Sequence, residues 1–151
     1  MSNEVLRIYL DVCCLQRSFD DQRQARVHLE AEAVKLILAQ VEAGELVWVG
    51  SEVIEYEIAQ NSDPERALKA MLLAAYAGIR VSAGGDEDAR AGELELMGFT
   101  GLDALHLACA ESAGVAVFLT TDDKLLKRAA RFADDIRVQV ANPLEWVRRR
   151  S

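Results

Sequence analysis

Four segments place a carboxylate where chemistry could use it. Leu10 is followed by Asp11, and Leu119 by Thr120, Thr121 and Asp122. Two further acids fall in helical stretches, Glu57 within Ser51-Glu52-Val53-Ile54-Glu55-Tyr56-Glu57-Ile58 and Asp103 within Gly101-Leu102-Asp103-Ala104. In an open parallel sheet ligands bind beyond the carboxyl ends of the strands, at a topological switch point, so these four acids are expected to converge on one sheet edge. Carboxylates a few ångströms apart repel by on the order of several kcal/mol per pair at an effective dielectric near 20. Such a cluster takes up protons or binds cations, and its all-oxygen donor set suits Mg²⁺ or Mn²⁺ rather than Zn²⁺. A hard divalent ion held this way lowers the pKa of bound water and neutralises charge on a phosphoryl centre. Metal-assisted phosphodiester hydrolysis is the reaction class that follows.

The elements that must position these acids are legible from periodicity. Residues 5–10 form a short apolar, β-branched run and read as the first strand. After a polar stretch over residues 16–24, Val27, Ala31, Val34, Leu38 and Val41 recur at helical spacing, and Gly44 ends that helix. Residues 46–49 give a second strand, with Ser51 as N-cap of a helix over 52–60. Pro64 opens the next helix at a permitted first-turn position, with Leu68, Met71, Leu72 and Ala75 as its apolar stripe. A brief strand over 79–81 precedes helices over 86–97 and from about residue 102 to Gly114. Strands over 115–119 and 136–140 flank a helix over 124–132, and Pro143 opens a C-terminal helix. Strands alternating with helices imply parallel pairing through right-handed crossovers, hence an α/β fold, a three-layer α/β/α sandwich, with residues 1–151 as one domain.

Composition narrows the partners. The 151 residues are 51% hydrophobic, too apolar for a disordered chain, and no apolar run approaches the ~18 residues of a membrane span. The N-terminus, Met1-Ser2-Asn3-Glu4, lacks a basic stretch followed by a long apolar one, so the expected location is cytoplasmic. With 25 acids against 17 bases the net charge is −8, which argues against a broad basic nucleic-acid surface but not against a nuclease whose acids serve a metal site. Three cysteines, two adjacent at Cys13 and Cys14, make neither a disulfide framework nor a zinc motif.

Tyr9-Leu10-Asp11, the segment from Ser51 to Ile58, Gly101-Leu102-Asp103-Ala104-Leu105-His106-Leu107-Ala108 and Leu119-Thr120-Thr121-Asp122 occur in this order. Together they resemble the four acidic motifs of PIN-domain ribonucleases, the VapC-type toxins of bacterial and archaeal toxin–antitoxin modules. The resemblance spans nearly the whole chain. It implies Mg²⁺- or Mn²⁺-dependent endonucleolytic cleavage of RNA, leaving a 5′-phosphate and a 3′-hydroxyl. It also implies an antitoxin partner and a homodimer, for which the Leu68, Met71, Leu72 and Ala75 stripe could supply a face or could equally be core. By the same resemblance Asp11 and Asp103 are metal ligands, and Asp122 is a ligand or orients a metal-bound water. Glu57 is the helix acid of the second motif, with Glu52 and Glu55 as competitors, and Thr120 brings a hydroxyl near the metal. The family often carries Thr or Ser, then Asn or Ser, after its first Asp; here Val12-Cys13-Cys14 follows.

Each of these residues also has a plainer role. Asp11, Asp103 and Asp122 can cap turns or helices, and Glu57 can belong to a solvated face. His106, one turn after Asp103, reads as a packing histidine bonded to a neighbour, with a catalytic base as the alternative. Cys109 reads as core, and Cys13 and Cys14 as packing beside the site. Arg7, Arg17, Arg23 and Arg26 flank the first motif, and Lys124, Lys127, Arg128 and Arg131 follow the last. Both groups can rim the acidic pocket and hold phosphates if the strands they flank are adjacent. A phosphatase of the haloacid-dehalogenase type would want an Asp at position 13, which is Cys, and no Gly-x-Gly-x-x-Gly follows a strand. A catalytically silent PIN fold serving as a binding or oligomerisation module is the remaining alternative.

Overall fold

The computed structural model describes residues 5–150, so the N-terminal reading over Met1 to Glu4 lies outside the described residues. Among these residues five strands form one all-parallel sheet: β1 (Leu6–Leu10), β2 (Leu46–Ser51), β3 (Ile79–Val81), β4 (Val117–Leu119) and β5 (Gln139–Ala141). Their order is β3-β2-β1-β4-β5. The chain therefore winds outward in one direction from β1 and, after β3, returns to build β4 and β5 on the other side. The switch point lies between β1 and β4, where Leu10 pairs with Leu119.

Helices cover both faces, giving the expected three-layer α/β/α sandwich. They are α1 (Val12–Gln16), α2 (Ala25–Glu42), α3 (Glu52–Ala59), α4 (Pro64–Ala74), α5 (Gly85–Leu96), α6 (Gly101–Ser112), α7 (Asp123–Arg131) and α8 (Pro143–Arg150). β1 is central, and Ile8, Tyr9 and Leu10 are each at most 1% exposed, as a strand covered on both faces requires. Gly44 closes α2 at φ +79°, a conformation that costs glycine little. None of the described helices is long and apolar enough to cross a membrane.

Three elements differ from the sequence expectation. α1 falls before and into the stretch read as polar loop, and a 3₁₀ turn (Arg17–Phe19) follows it; it is a five-residue helix started by Asp11, whose side chain accepts from Val12 N. β4 begins at Val117 rather than 115, because Val115 N is bonded back to Ala110 O at the end of α6. β5 begins at Gln139 because its partner β4 is only three residues long. Ile136 and Val138 are nevertheless buried, so their apolar character serves packing rather than the ladder.

A buried carboxylate ties several elements together. Glu30 on α2 is 1% exposed and accepts from Arg17 Nε at 2.9 Å, Arg26 Nε at 3.1 Å and Asn142 Nδ2 at 2.6 Å. Arg26 also forks onto Asp123 at 2.7 and 2.8 Å and donates to Thr121 O at 3.2 Å. The segment after β4 is thereby fastened to α2.

Candidate active site

Asp11 leaves the carboxyl end of β1 at the switch point. It is 6% exposed, accepting from Val12 N at 2.9 Å through Oδ1 and from the Thr120 hydroxyl at 2.8 Å through Oδ2. Thr120, wholly buried at the end of β4, also accepts from Asp122 N at 3.1 Å. Its hydroxyl hydrogen is committed to Asp11, so the residue joins the first and last acidic segments across the two central strands. Cys13 occupies the place of a small polar residue: its sulfur lies 3.6 Å from Asp11 Oδ2 and 3.4 Å from Thr120 Oγ1, and accepts from Thr121 N at 3.3 Å. Cys14 is buried and donates to Leu119 O, which makes it a packing thiol. Cys109 is core as expected.

The three glutamates on α3 are separated by their partners. Glu55 forms a two-point ion pair with Arg80, at 2.7 and 2.8 Å. Glu52 accepts from Ala83 N. Glu57 turns toward the interior, its Oε1 2.8 Å from Nε2 of a fully buried His106. Asp11, Glu57 and His106 each bring one ligand atom within 4.8 Å of the others.

Asp103 lies in the first turn of α6, where Thr100, not Asp103, is the N-cap and accepts from Asp103 N. Asp122 caps α7, accepting from Lys124 N and Leu125 N. The tightest group of potential ligand atoms thus contains Asp11 and Glu57 with His106, while Asp103 and Asp122 stand close enough to act electrostatically. The Asp103 carboxyl is pushed up to about 6, first by burial and then by the charge of Asp11, with a smaller contribution from Asp122. The Asp11 carboxyl is also raised, by burial first, which outweighs the lowering influence of His106, and in part by Glu57.

The contrast with Glu30 is informative. Both Glu30 and Asp11 are buried carboxylates, but Glu30 is held by two arginines whereas the hydrogen-bond partners of Asp11 among the described residues are a backbone amide, a hydroxyl and a thiol. A buried ion without a counter-charge costs several kcal/mol, in order of magnitude. Raised carboxyls gathered at one strand end, with no Lys or Arg hydrogen-bonded to them among the described residues, form a group that could hold a metal ion. Their hard oxygen donors fit a divalent ion of the Mg²⁺ or Mn²⁺ type.

The basic residues divide into two groups. Arg17, Arg23 and Arg26 are engaged with carboxylates, and Arg7 donates to Ala113 O. On α7, Lys124, Lys127, Arg128 and Arg131 line one open depression, as their i, i+3, i+4, i+7 spacing dictates. Arg128 is partly committed, donating to Met97 O beside Gly98, whose φ of +99° disfavours a side chain there. The other three are exposed, and among the described residues none forms an ion pair with a carboxylate.

Sequence reading did not find Tyr9 as a site residue. Its hydroxyl lies 2.6 Å from His106 Nδ1 and 2.7 Å from Ser51 Oγ. Its position in an apolar strand gave no signal of a polar role.

Comparison with known proteins bears on the fold and the family. No curated protein matches the sequence significantly. Among solved structures the chain is similar to FitAcB from Neisseria gonorrhoeae, with TM-score 0.58 and 15% identity over 90% of this chain and 97% of that one. It is also similar to VapBC2 from Rickettsia felis, solved bound to a DNA fragment from its promoter, with TM-score 0.57 and 12% identity over 91% and 98% of the two chains. VapC20 from Mycobacterium tuberculosis, a sarcin-ricin loop cleaving toxin, gives TM-score 0.56 and 14% identity over 78% and 92%. At these identities the likeness concerns the fold. The PIN domain family model matches residues 8–131, from β1 through α7 and across all four acidic segments. The chain belongs to the PIN domain family.

Proposed function

We propose that this chain, as a single domain, is a metal-dependent endoribonuclease and the toxin of a toxin–antitoxin pair. The observation that carries the reading is Asp11, a buried carboxylate at the β1–β4 switch point that, among the described residues, accepts from no Lys or Arg, has Glu57 within 4.8 Å and raises Asp103 by its charge. Asp11, Asp103 and Asp122 would hold Mg²⁺ or Mn²⁺. Such an ion supplies an acidified water and charge neutralisation at the phosphoryl group. Thr120 fixes Asp11, and Glu57 is the α3 acid that faces the cluster.

The test is a cleavage time course on single-stranded and structured RNAs with Mg²⁺, Mn²⁺ or chelator. Cutting is expected only with metal. Asp11→Asn and Glu57→Gln should each lose about a hundredfold or more, as when a preorganised electrostatic group is removed. Glu55→Gln, which only releases Arg80, should stay within about twofold, like an ordinary surface change. Chelator-resistant cutting, or equal loss in Glu55→Gln and Glu57→Gln, would sink the assignment.

The unpaired cations of α7 support a polyanionic substrate. Lys124, Lys127 and Arg131 stand on the helix that Asp122 caps, in a chain otherwise rich in acid. Replacing all three by Gln should raise KM with little change in kcat. It should also flatten the dependence of log KM on log salt by up to about 2 in slope, at ~0.7 per lost single-strand phosphate contact. An unchanged salt slope would remove α7 from the substrate path.

The VapC- and FitAB-like structures are the ground for proposing an antitoxin partner, and a short open reading frame immediately upstream would support it. The proposed homodimer has an apolar face available on α4, where Leu68 and Leu72 are each 60% exposed and Tyr76 lies beside them.

A further inference from the structure

Behind Glu57 runs a chain of hydrogen bonds that admits one direction. Ile54 N donates to Ser51 Oγ at 3.1 Å. Ser51 Oγ lies 2.7 Å from Tyr9 Oη, Tyr9 Oη 2.6 Å from His106 Nδ1, and His106 Nε2 2.8 Å from Glu57 Oε1. Ser51, Tyr9 and His106 are at most 1% exposed. Both ends lie on α3: Ser51 caps it, and Glu57 stands on it.

From this geometry we infer that His106, held by Tyr9 and Ser51, is a positioning residue for Glu57 and not a metal ligand. Ser51 Oγ already accepts from Ile54 N, so its own hydrogen has one acceptor among the described residues, Tyr9 Oη. Tyr9 then donates to His106 Nδ1. An accepting Nδ1 places the ring hydrogen on Nε2, pointing at Glu57. Run in reverse, the chain would strand the Ser51 hydrogen in the core, a costly omission. It would also set the Nε2 lone pair against an oxygen of Glu57. An ion bound at Nε2 needs that lone pair, so ligation by His106 would force the reversal. The ligand atoms of the three-residue group thus reduce to carboxylates, and β1 and β2 fix the orientation of Glu57 through the ring. The role of the chain rests on reading the acidic cluster as a metal centre, but its direction does not.

Two measurements test it. In long-range ¹H–¹⁵N spectra of the intact protein, His106 should show a pyridine-type Nδ1 and a pyrrole-type Nε2, both before and after Mg²⁺ or Zn²⁺ is added. Two pyrrole-type nitrogens, the opposite tautomer, or loss of the Nε2 hydrogen on adding either ion would overturn the inference. Mn²⁺ binding, read from the EPR signal of the free ion, should weaken about tenfold or more in His106→Met but stay within about threefold in His106→Gln, whose amide keeps a donor near Nε2. Tyr9→Phe removes one hydroxyl and should move the Nδ1 resonance while the protein remains folded. Equal weakening in His106→Met and His106→Gln, or an unmoved Nδ1 in Tyr9→Phe, would reduce His106 to packing and also overturn it. Should the wild type cut no RNA while these signatures hold, the ribonuclease reading falls and the positioning chain stands.

Discussion

Asp103→Asn is expected to abolish cleavage and, in the same protein, to raise the melting temperature measured in chelator. The carboxyl of Asp103 is pushed from 3.8 up to about 6, first by burial and next by Asp11. An acid whose folded pKa is raised binds its proton more tightly when folded. The folded state therefore loses stability as pH climbs from the unfolded pKa toward about 6, and the full penalty applies above that. At 1.36 kcal/mol per unit the penalty is about 3 kcal/mol, reduced to about 2 by the remaining exposure of the group. Asn carries none of it. Thermal melts without metal should show the variant ahead by about 5 °C at pH 7.5 and level with the wild type below pH 4. Mg²⁺ should raise the wild-type melting temperature and leave the variant nearly unmoved. A pH-independent difference between the two proteins would contradict the electrostatic account.

Glu30→Ala should be the most destabilising of the substitutions considered. It leaves Arg17, whose side chain is only 19% exposed, with Asp20 alone, and it releases Asn142 and Arg26. Breaking a buried pair by removing one partner costs about 3–5 kcal/mol, and the half-exposed Arg26 places this case toward the lower end. Urea denaturation would read it as a lower midpoint at unchanged slope. Because Arg26 also holds Asp123 and the carbonyl of Thr121, cleavage should fall even at temperatures where the variant is fully folded. Full activity in a folded Glu30→Ala protein would show that the segment after β4 needs no such fastening.

The residues that position the site were legible in proportion to how local their signals are. Asp11 and Asp122 follow apolar runs, and strand-end placement is a property of neighbouring residues. Ser51 read as an N-cap and is one, but its second bond, to Tyr9 forty-two residues away, leaves no trace in the local pattern. His106 read as a histidine bonded to a neighbour; that the neighbour is Glu57 depends on how α6 meets α3. Glu30 did carry a signal. It lies three residues after Val27 and four before Val34, on the apolar stripe of α2, where an acid must find partners. α1 escaped notice because five residues show too little periodicity to register.

The switch point between β1 and β4 has a consequence for the order in which the chain is made. β1 finds β2 after about forty residues, so the half-sheet β3-β2-β1 has all its strands once residue 81 has been synthesised. Asp11, at the edge of that half-sheet, waits a further stretch for Thr120, 109 positions away. Loop closure over such distances comes late in folding, and a nascent chain acquires its distant contacts last. Until β4 emerges, the chain holds Asp11 and Glu57 but lacks Thr120, Asp122 and the α7 cations. A polypeptide interrupted anywhere before residue 117 therefore has at most the acids of β1, α3 and α6 but not the hydroxyl that fixes Asp11, and the cluster is complete only with the final quarter of the chain.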